Sequence, residues 1–293
     1  MKLATFLDNG VQRVGIVDGS KIADISHEFP SMLALIDGGA EALARARRAA
    51  GPGCRTLDLA SVKLMAPIPR PSKNILCLAL NYREHITEGM KAGSRDSDDA
   101  PKLPVWFTKA VTTVCGPYDD IAIEPDISVQ YDWEVELALV IGKAGRRIPK
   151  ERALDHVHSY TVFNDFSVRD IQRRHGPPPQ WFKGKSYDKA SPMGPWLVTA
   201  DELGNPPNVQ LRCRVNGALK QDTHTSKMIF DIPTVIADIS EVLTLEPGDI
   251  ISTGTPSGVG YARKPPEFLK DGDILETEID GIGTLRNRIV NAK

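Results

Sequence analysis

The chain opens with three short apolar runs, KLATFL, QRVGIVDG and KIADIS, separated by the turn-forming DNG and DGS. They predict strands joined by tight turns. MLALIDGGAEALARARRAAG then changes to helical spacing and closes at Gly51. Residues 1–68 therefore read as a small N-terminal α/β domain. PIPRP is a poor helix former and serves as the linker to a second domain, 69–293. NILCLAL is a buried-strand candidate. Beyond Val105, VWFTKA, TTVCG, VELALVIG, YTVFND, GPWLVT, QLRCRVNG, DIISTG, ILETEI and GTLRNRIV alternate with turn signals. Helical spacing recurs mainly at KERALDHV and IPTVIADISEVL. Many strands and few helices predict a mostly β, α+β catalytic domain, not a doubly wound sheet. Residues 89–104, GMKAGSRDSDDAPKLP, are polar and rich in breakers, and read as a loop able to close over a ligand.

Composition narrows the function classes. With 41% hydrophobic residues among 293, the chain can bury a sizeable core. A formal net charge of −2 supplies no basic field for nucleic acid. The four cysteines are widely spaced without a CxxC pair and read as reduced thiols. MKLATFLDNG lacks the pattern of a signal peptide, and no apolar run is long enough to span a bilayer. A cytoplasmic protein without membrane or nucleic-acid partners is expected. GTPSGVG lacks the lysine and helix of a phosphate loop, and no GxGxxG follows the early strands.

YDWEVELALVIGK, residues 131–143, raises a sharper question. It reads as a buried strand, yet Glu134 and Glu136 share one of its faces, about 7 Å apart. Two carboxylates near a core repel each other and are costly to desolvate. A divalent cation resolves both problems, and Mg²⁺ or Mn²⁺ favours such oxygen ligands. A third ligand should come from a neighbouring strand end. Asp165, at the end of the apolar run TVFND, is the better placed; Asp170 could instead cap a helix or pair with Arg169 or Arg173. His156 and His158 read as surface histidines. If NYREHITE turns helical after Tyr82, His85 and Glu88 face each other at i and i+3.

LCLALNYREHITE, PVWFTKA, YDWEVELALVIGK, VFNDFSVRD, WFKGKSYDKASPMGP, VNGALKQ, MIFDIP and LTLEPGDIISTGTPSGVG, in that order, resemble the fumarylacetoacetate hydrolase family. The resemblance spans roughly residues 70–285, and the N-terminal block is similar to a small domain appended in many bacterial members. It implies a catalytic domain built on a rolled, mixed β-structure, and a homodimer. It implies Mg²⁺ or Mn²⁺ on Glu134, Glu136 and Asp165, with His85 and Glu88 as a water-activating pair. It places the catalytic lysine at Lys185 rather than Lys183 or Lys189. Arg169 and Gln172, which would share a face with Asp165 on a helix starting there, become substrate contacts, as do Thr255 and the recurrent Lys109. Arg173 and Arg174 read as surface charges.

The implied substrate is a small 2-oxo acid. The first expectation is hydrolysis of a C–C bond in an acylpyruvate or fumarylpyruvate-like 2,4-dioxo acid, through a metal-bound pyruvate enolate. Oxaloacetate decarboxylation at the same site and isomerisation of a 2-hydroxy-dienoic diacid stand beside it. A catalytically silent relative would be expected to lack one of the six core residues, and none is missing.

Overall fold

The computed structural model describes residues 1–94, 96–176 and 179–292. Arg95, within the expected lid 89–104, lies outside the described residues, as do Pro177, Pro178 and Lys293. The fold is α+β with more strand than helix, 36% against 24%.

The apolar runs become strands of two sheets. In the larger one the order is Thr56–Asp58, Lys21–Asp24, Val11–Asp18, Lys2–Asp8, Ser191–Thr199, Val157–Asn164, Val135–Ile141, Ile250–Ser252, Ile75–Ala79 and Val105–Lys109. The second contains Ala218–His224, Gln210–Val215, Ile274–Ile279, Gly283–Asn291 and Ile121–Ile123. The N-terminal strands do not stand apart. Lys2 pairs with Val198 and Leu3 with Leu197, so one sheet runs across the linker. The apolar face of the two N-terminal helices, Met32–Asp37 and Gly39–Ala49, shares a core with Ala138, Val140 and Phe163.

Burial explains the sequence patterns. Gln210–Val215 and Ile274–Ile279 alternate buried and half-buried residues, as strands with one wet face do. Val135–Ile141 and Val157–Asn164 are buried throughout. Val135, Leu137, Leu139 and Ile141 face the core shared with the second sheet, whereas Ala138 and Val140 face the core under the N-terminal helices. A strand covered on both sides has no polar face, which is why LALVIG does not alternate.

Several local expectations shift. Tyr131–Lys143 is interrupted: Tyr131–Asp132 and Val135–Ile141 are separate strands, and Glu134 sits in the gap. KERALDHV forms a 3₁₀ helix, Lys150–His156. The helix carrying Arg169 and Gln172 begins at Arg169, after the short strand Ser167–Val168, not at Asp165. Cys77, Cys115 and Cys213 are free and buried, and Cys54 is free and half-buried. Among the described residues no helix is long and apolar enough to cross a membrane.

His156 and His158 are buried rather than exposed, because they flank the start of the doubly covered strand Val157–Asn164. His156 Nδ1 lies 2.8 Å from the Lys143 carbonyl. Among the described residues His158 Nε2 has no hydrogen-bond partner, and burial holds its pKa down at about 4. An unfolded His158 takes up a proton below its ordinary 6.5, whereas the folded one does so only near 4. Stability should therefore fall as pH drops through this window, by roughly 3 kcal/mol in total. His158→Leu should flatten that limb of a melting-temperature-against-pH curve. An unchanged acid slope would contradict the assignment.

Candidate active site

Three chain segments bring the acids together. Glu136 lies on the face of its strand that carries Ala138 and Val140. Glu134, in the gap before that strand, is fixed by its backbone: its N–H donates to Asn164 Oδ1 at 3.3 Å, and its carbonyl accepts from Asp165 N at 2.9 Å. Asp165 stands one residue beyond the end of Val157–Asn164. Each of the three buried acids offers a carboxylate oxygen, and these oxygens lie within 4.8 Å of one another.

Cations balance this charge unevenly. Lys185 Nζ donates to Glu134 Oε2 at 2.7 Å and to Asp165 Oδ2 at 2.6 Å. Arg169 Nη2 donates to Glu134 Oε1 at 2.6 Å. Burial opposes ionisation of Glu134, but Lys185 and Arg169 overcome it and hold its carboxyl well below the usual range. Glu136 is the opposite case. Burial, then Asp165 and Glu134, push its carboxyl well above the usual range. Its protein donors are the Ser252 hydroxyl and Gly254 N–H, both on Oε2. The donor set fits a hard divalent cation: carboxylate oxygens only, with no thiolate or imidazole. The Glu134 and Asp165 oxygens each accept one of the hydrogen bonds described and retain lone-pair capacity, whereas at Glu136 the capacity lies on Oε1 because Oε2 accepts twice. An added cation would supply the positive charge that Glu136 lacks.

Glu134 and Glu136 line a cavity of about 510 Å³, whose wall also carries His85, Arg169, Gln172, Lys185 and Thr255. Glu88 stands behind His85. Its Oε1 is 2.8 Å from His85 Nδ1, and its Oε2 accepts from Gly258 N at 2.7 Å. A carboxylate at Nδ1 selects the tautomer with the proton there, leaving the Nε2 lone pair as the base. The helix Arg83–Lys91 that presents the pair follows a tight junction. Leu80 there has φ +61°, rare for a branched residue. The buried Asn81 side chain pins the bend to the Phe230 and Thr253 carbonyls.

Lys109 corrects the expectation of a substrate contact. It is fully buried and absent from the cavity wall, and donates to Asp165 Oδ1 at 2.6 Å and to the Phe166 and Ala190 carbonyls. With its three N–H groups spent, it positions Asp165. The Thr255 hydroxyl donates to the Val135 carbonyl at 3.0 Å, so on the wall it can offer only an acceptor. Asp170 faces Ser128, whose hydroxyl donates to it at 2.6 Å.

The Gly-rich run serves the protein's own carboxylates. Gly254 N–H goes to Glu136, Gly258 N–H to Glu88 and Gly260 N–H to Asp132. At Gly258, with φ +102°, an added Cβ would lie 2.0 Å from the Lys220 carbonyl oxygen. Gly184 lets the helix Trp181–Lys185 lie against Arg169–Arg173; a Cβ there would meet Gln172 Cβ at 2.7 Å. Lys185 is placed by that contact.

Sequence reasoning missed Asp132. Fully buried, it accepts from Arg169 Nε at 2.7 Å, Gly260 N at 2.6 Å and Tyr261 N at 3.1 Å. The signal was available, because DWEVE places an acid at every second residue. Arg173, expected as a surface charge, lines the cavity with Tyr261, against whose ring its guanidinium lies.

Three buried carboxylates beside a His–Glu pair, at one cavity, have the composition of a candidate divalent-metal enzyme site. The family model described as Fumarylacetoacetate (FAA) hydrolase C-terminal matches residues 74–290, and the chain belongs to that family. It is 49% identical over 233 residues to the oxaloacetate tautomerase YisK of Bacillus subtilis, covering 79% of this chain and 74% of that protein. To the mitochondrial oxaloacetate tautomerase fahd2 of Xenopus laevis it is 42% identical, over 99% of this chain and 90% of that one. Among solved structures, maleylpyruvate hydrolase from Sphingobium sp. SYK-6, in complex with manganese(II) and pyruvate, superposes with TM-score 0.81 at 33% identity. That likeness covers 100% of both chains.

Asp132→Asn should destabilise the fold by about 3–5 kcal/mol, since an amide cannot meet the Arg169 charge and turns an N–H toward donors. Urea denaturation reads this as a lowered midpoint. A loss below about 1 kcal/mol would show that Asp132 does not hold this corner of the site.

Proposed function

We propose that the chain interconverts the keto and enol forms of a small 2-oxo dicarboxylic acid of the oxaloacetate type. Mg²⁺ or Mn²⁺ would be held by Glu134, Glu136 and Asp165. What supports the cation is the donor set, together with the manganese in the maleylpyruvate hydrolase structure. The observation that carries tautomerisation over hydrolysis is 42% identity, over 99% of this chain, to a relative named as an oxaloacetate tautomerase. The enzyme would act on a free small acid in the cytoplasm, as a homodimer in keeping with the family resemblance.

When bound, the divalent cation polarises the 2-oxo group of its ligand and so acidifies C3. The chain's own groups do the rest. His85 Nε2 takes a proton from C3, and the C–H pair becomes the C2–C3 double bond while the carbonyl pair moves onto oxygen. The proton carried on His85 then returns to that oxygen, so nothing is gained or lost. Glu88 stabilises the transient imidazolium and keeps the ring oriented. Lys185, beside Glu134 and Asp165, places positive charge where the oxygen becomes negative. Arg169 and Gln172 shape the wall against which the acid lies.

Hydrolysis is the second reading, favoured by the likeness to maleylpyruvate hydrolase with its bound pyruvate. His85 would then deprotonate water instead of C3, with the other groups unchanged. A panel of enol-oxaloacetate, acetylpyruvate and fumarylpyruvate with Mg²⁺ and Mn²⁺ separates the two. The expected result is enol loss above the metal-only background with no pyruvate or CO₂ formed. Pyruvate plus a carboxylic acid from a dioxo acid would establish hydrolysis, and pyruvate plus CO₂ from oxaloacetate would establish decarboxylation. His85→Ala should lower kcat by about 10²- to 10⁴-fold while Mn²⁺ affinity stays unchanged. Retained turnover would rule His85 out as the base.

A further inference from the structure

Among the described residues, Arg173 is a cationic wall residue that the reaction scheme leaves unused beside Arg169 and Lys185. Arg169 spends Nε on Asp132, Nη1 on Gln172 and Nη2 on Glu134. Lys185 is committed to Glu134 and Asp165. Among the described residues no carboxylate forms an ion pair with Arg173, although the wall also carries Asp96.

The guanidinium of Arg173 is nevertheless fixed. It lies 4.2 Å from the centroid of the Tyr261 ring, and that of Arg169 lies 4.6 Å from the same centroid. Tyr261 is itself held at both ends. Its backbone N–H donates to Asp132, and its hydroxyl is 3.3 Å from Ser94 Oγ. Tyr261 also takes a side-chain hydrogen bond from Arg173, and stacking on an aromatic face leaves the remaining N–H groups at the guanidinium edge for a planar anion. Burial and the adjacent Arg169 cation hold the Arg173 pKa below its ordinary value, against the opposing influence of Tyr261 and Asp132. A ligand chelated near Glu134 and Glu136 would have this cation on the same cavity wall.

We propose that Arg173, braced by Tyr261, binds the distal carboxylate of the substrate and makes the cavity selective for 2-oxo dicarboxylic acids over 2-oxo monocarboxylic acids. This rests on the reading of the cavity as a 2-oxo acid site, and it adds the residue that recognises the second acid group. Arg173 is a specificity residue here; no step of the reaction requires it.

A matched ligand pair tests this apart from turnover. 2-Oxoglutarate and 2-oxopentanoate have the same chain length and differ in the distal carboxylate. Calorimetry on the full chain with saturating Mn²⁺ should show the wild type binding 2-oxoglutarate about tenfold to hundredfold more tightly, the scale of a charge-assisted hydrogen-bonded pair. Arg173→Gln should abolish that preference, Arg173→Lys should restore part of it, and Mn²⁺ affinity should stay constant in both. In turnover of enol-oxaloacetate the loss should fall on KM rather than kcat. Equal binding of the two acids by wild type, binding of neither, or a preference that survives Arg173→Gln would overturn the proposal. A preference that Arg173→Gln removes, in a protein that leaves enol-oxaloacetate unchanged, would support the subsite and overturn the tautomerase reading instead.

Discussion

Mutual repulsion among Glu134, Glu136 and Asp165 is the constraint around which the rest of this structure is arranged. Three buried carboxylates with oxygens within 4.8 Å of one another are unstable without positive charge. Lys185, Arg169 and Lys109 meet part of the need at Glu134 and Asp165. Each cation is placed by something further out: Arg169 by Asp132, Lys185 by the close helix contact at Gly184, Lys109 by two backbone carbonyls. Glu136 is left with a hydroxyl and one backbone N–H. The unmet need for positive charge is at Glu136, which lines the cavity together with Glu134.

The same arrangement explains why related chains carry different names for their reactions. Under the proposed function, the cation site and Lys185 act on the 2-oxo end of the acid, and the bond that changes depends on whether His85 meets a C–H group or a water molecule and on the group at the distal end of the ligand. Hydrolysis headed the expectations from sequence, with decarboxylation and isomerisation beside it. The relatives named oxaloacetate tautomerases move the weight to a proton shift within one small diacid. That change alters the role of one lone pair and leaves the carboxylate frame as it was.

Much of this was legible in the sequence because it rests on short-range patterns. Short apolar runs between turn signals marked the strands, and the long apolar run in YDWEVELALVIGK marked a buried one. The i, i+3 spacing of His85 and Glu88 placed the pair on one helical face, and the structure puts them 2.8 Å apart. Long-range contacts were not legible. Nothing local shows that Lys2–Asp8 pairs with Ser191–Thr199, so the N-terminal block read as separate although its sheet is continuous with the rest. For the same reason Lys109 lies off the cavity wall, although expected there, and Arg173 lies on it, although expected at the surface. A lysine at a strand end gives no local sign that Asp165 will be folded against it, and an arginine in a polar helix looks exposed until Tyr261 arrives from much later in the chain.

Mn²⁺ titration by calorimetry of the wild type and of Glu136→Gln bears most directly on the carboxylate frame. The substitution keeps shape and burial and removes one negative charge. One Mn²⁺ site per chain is expected in the wild type, with affinity reduced at least about a hundredfold in the variant, the scale of losing a charged ligand in a buried site. Equal Mn²⁺ affinity in the two proteins would mean that the three acids are held apart by Lys185, Arg169 and Lys109 alone, and that the cation binds elsewhere.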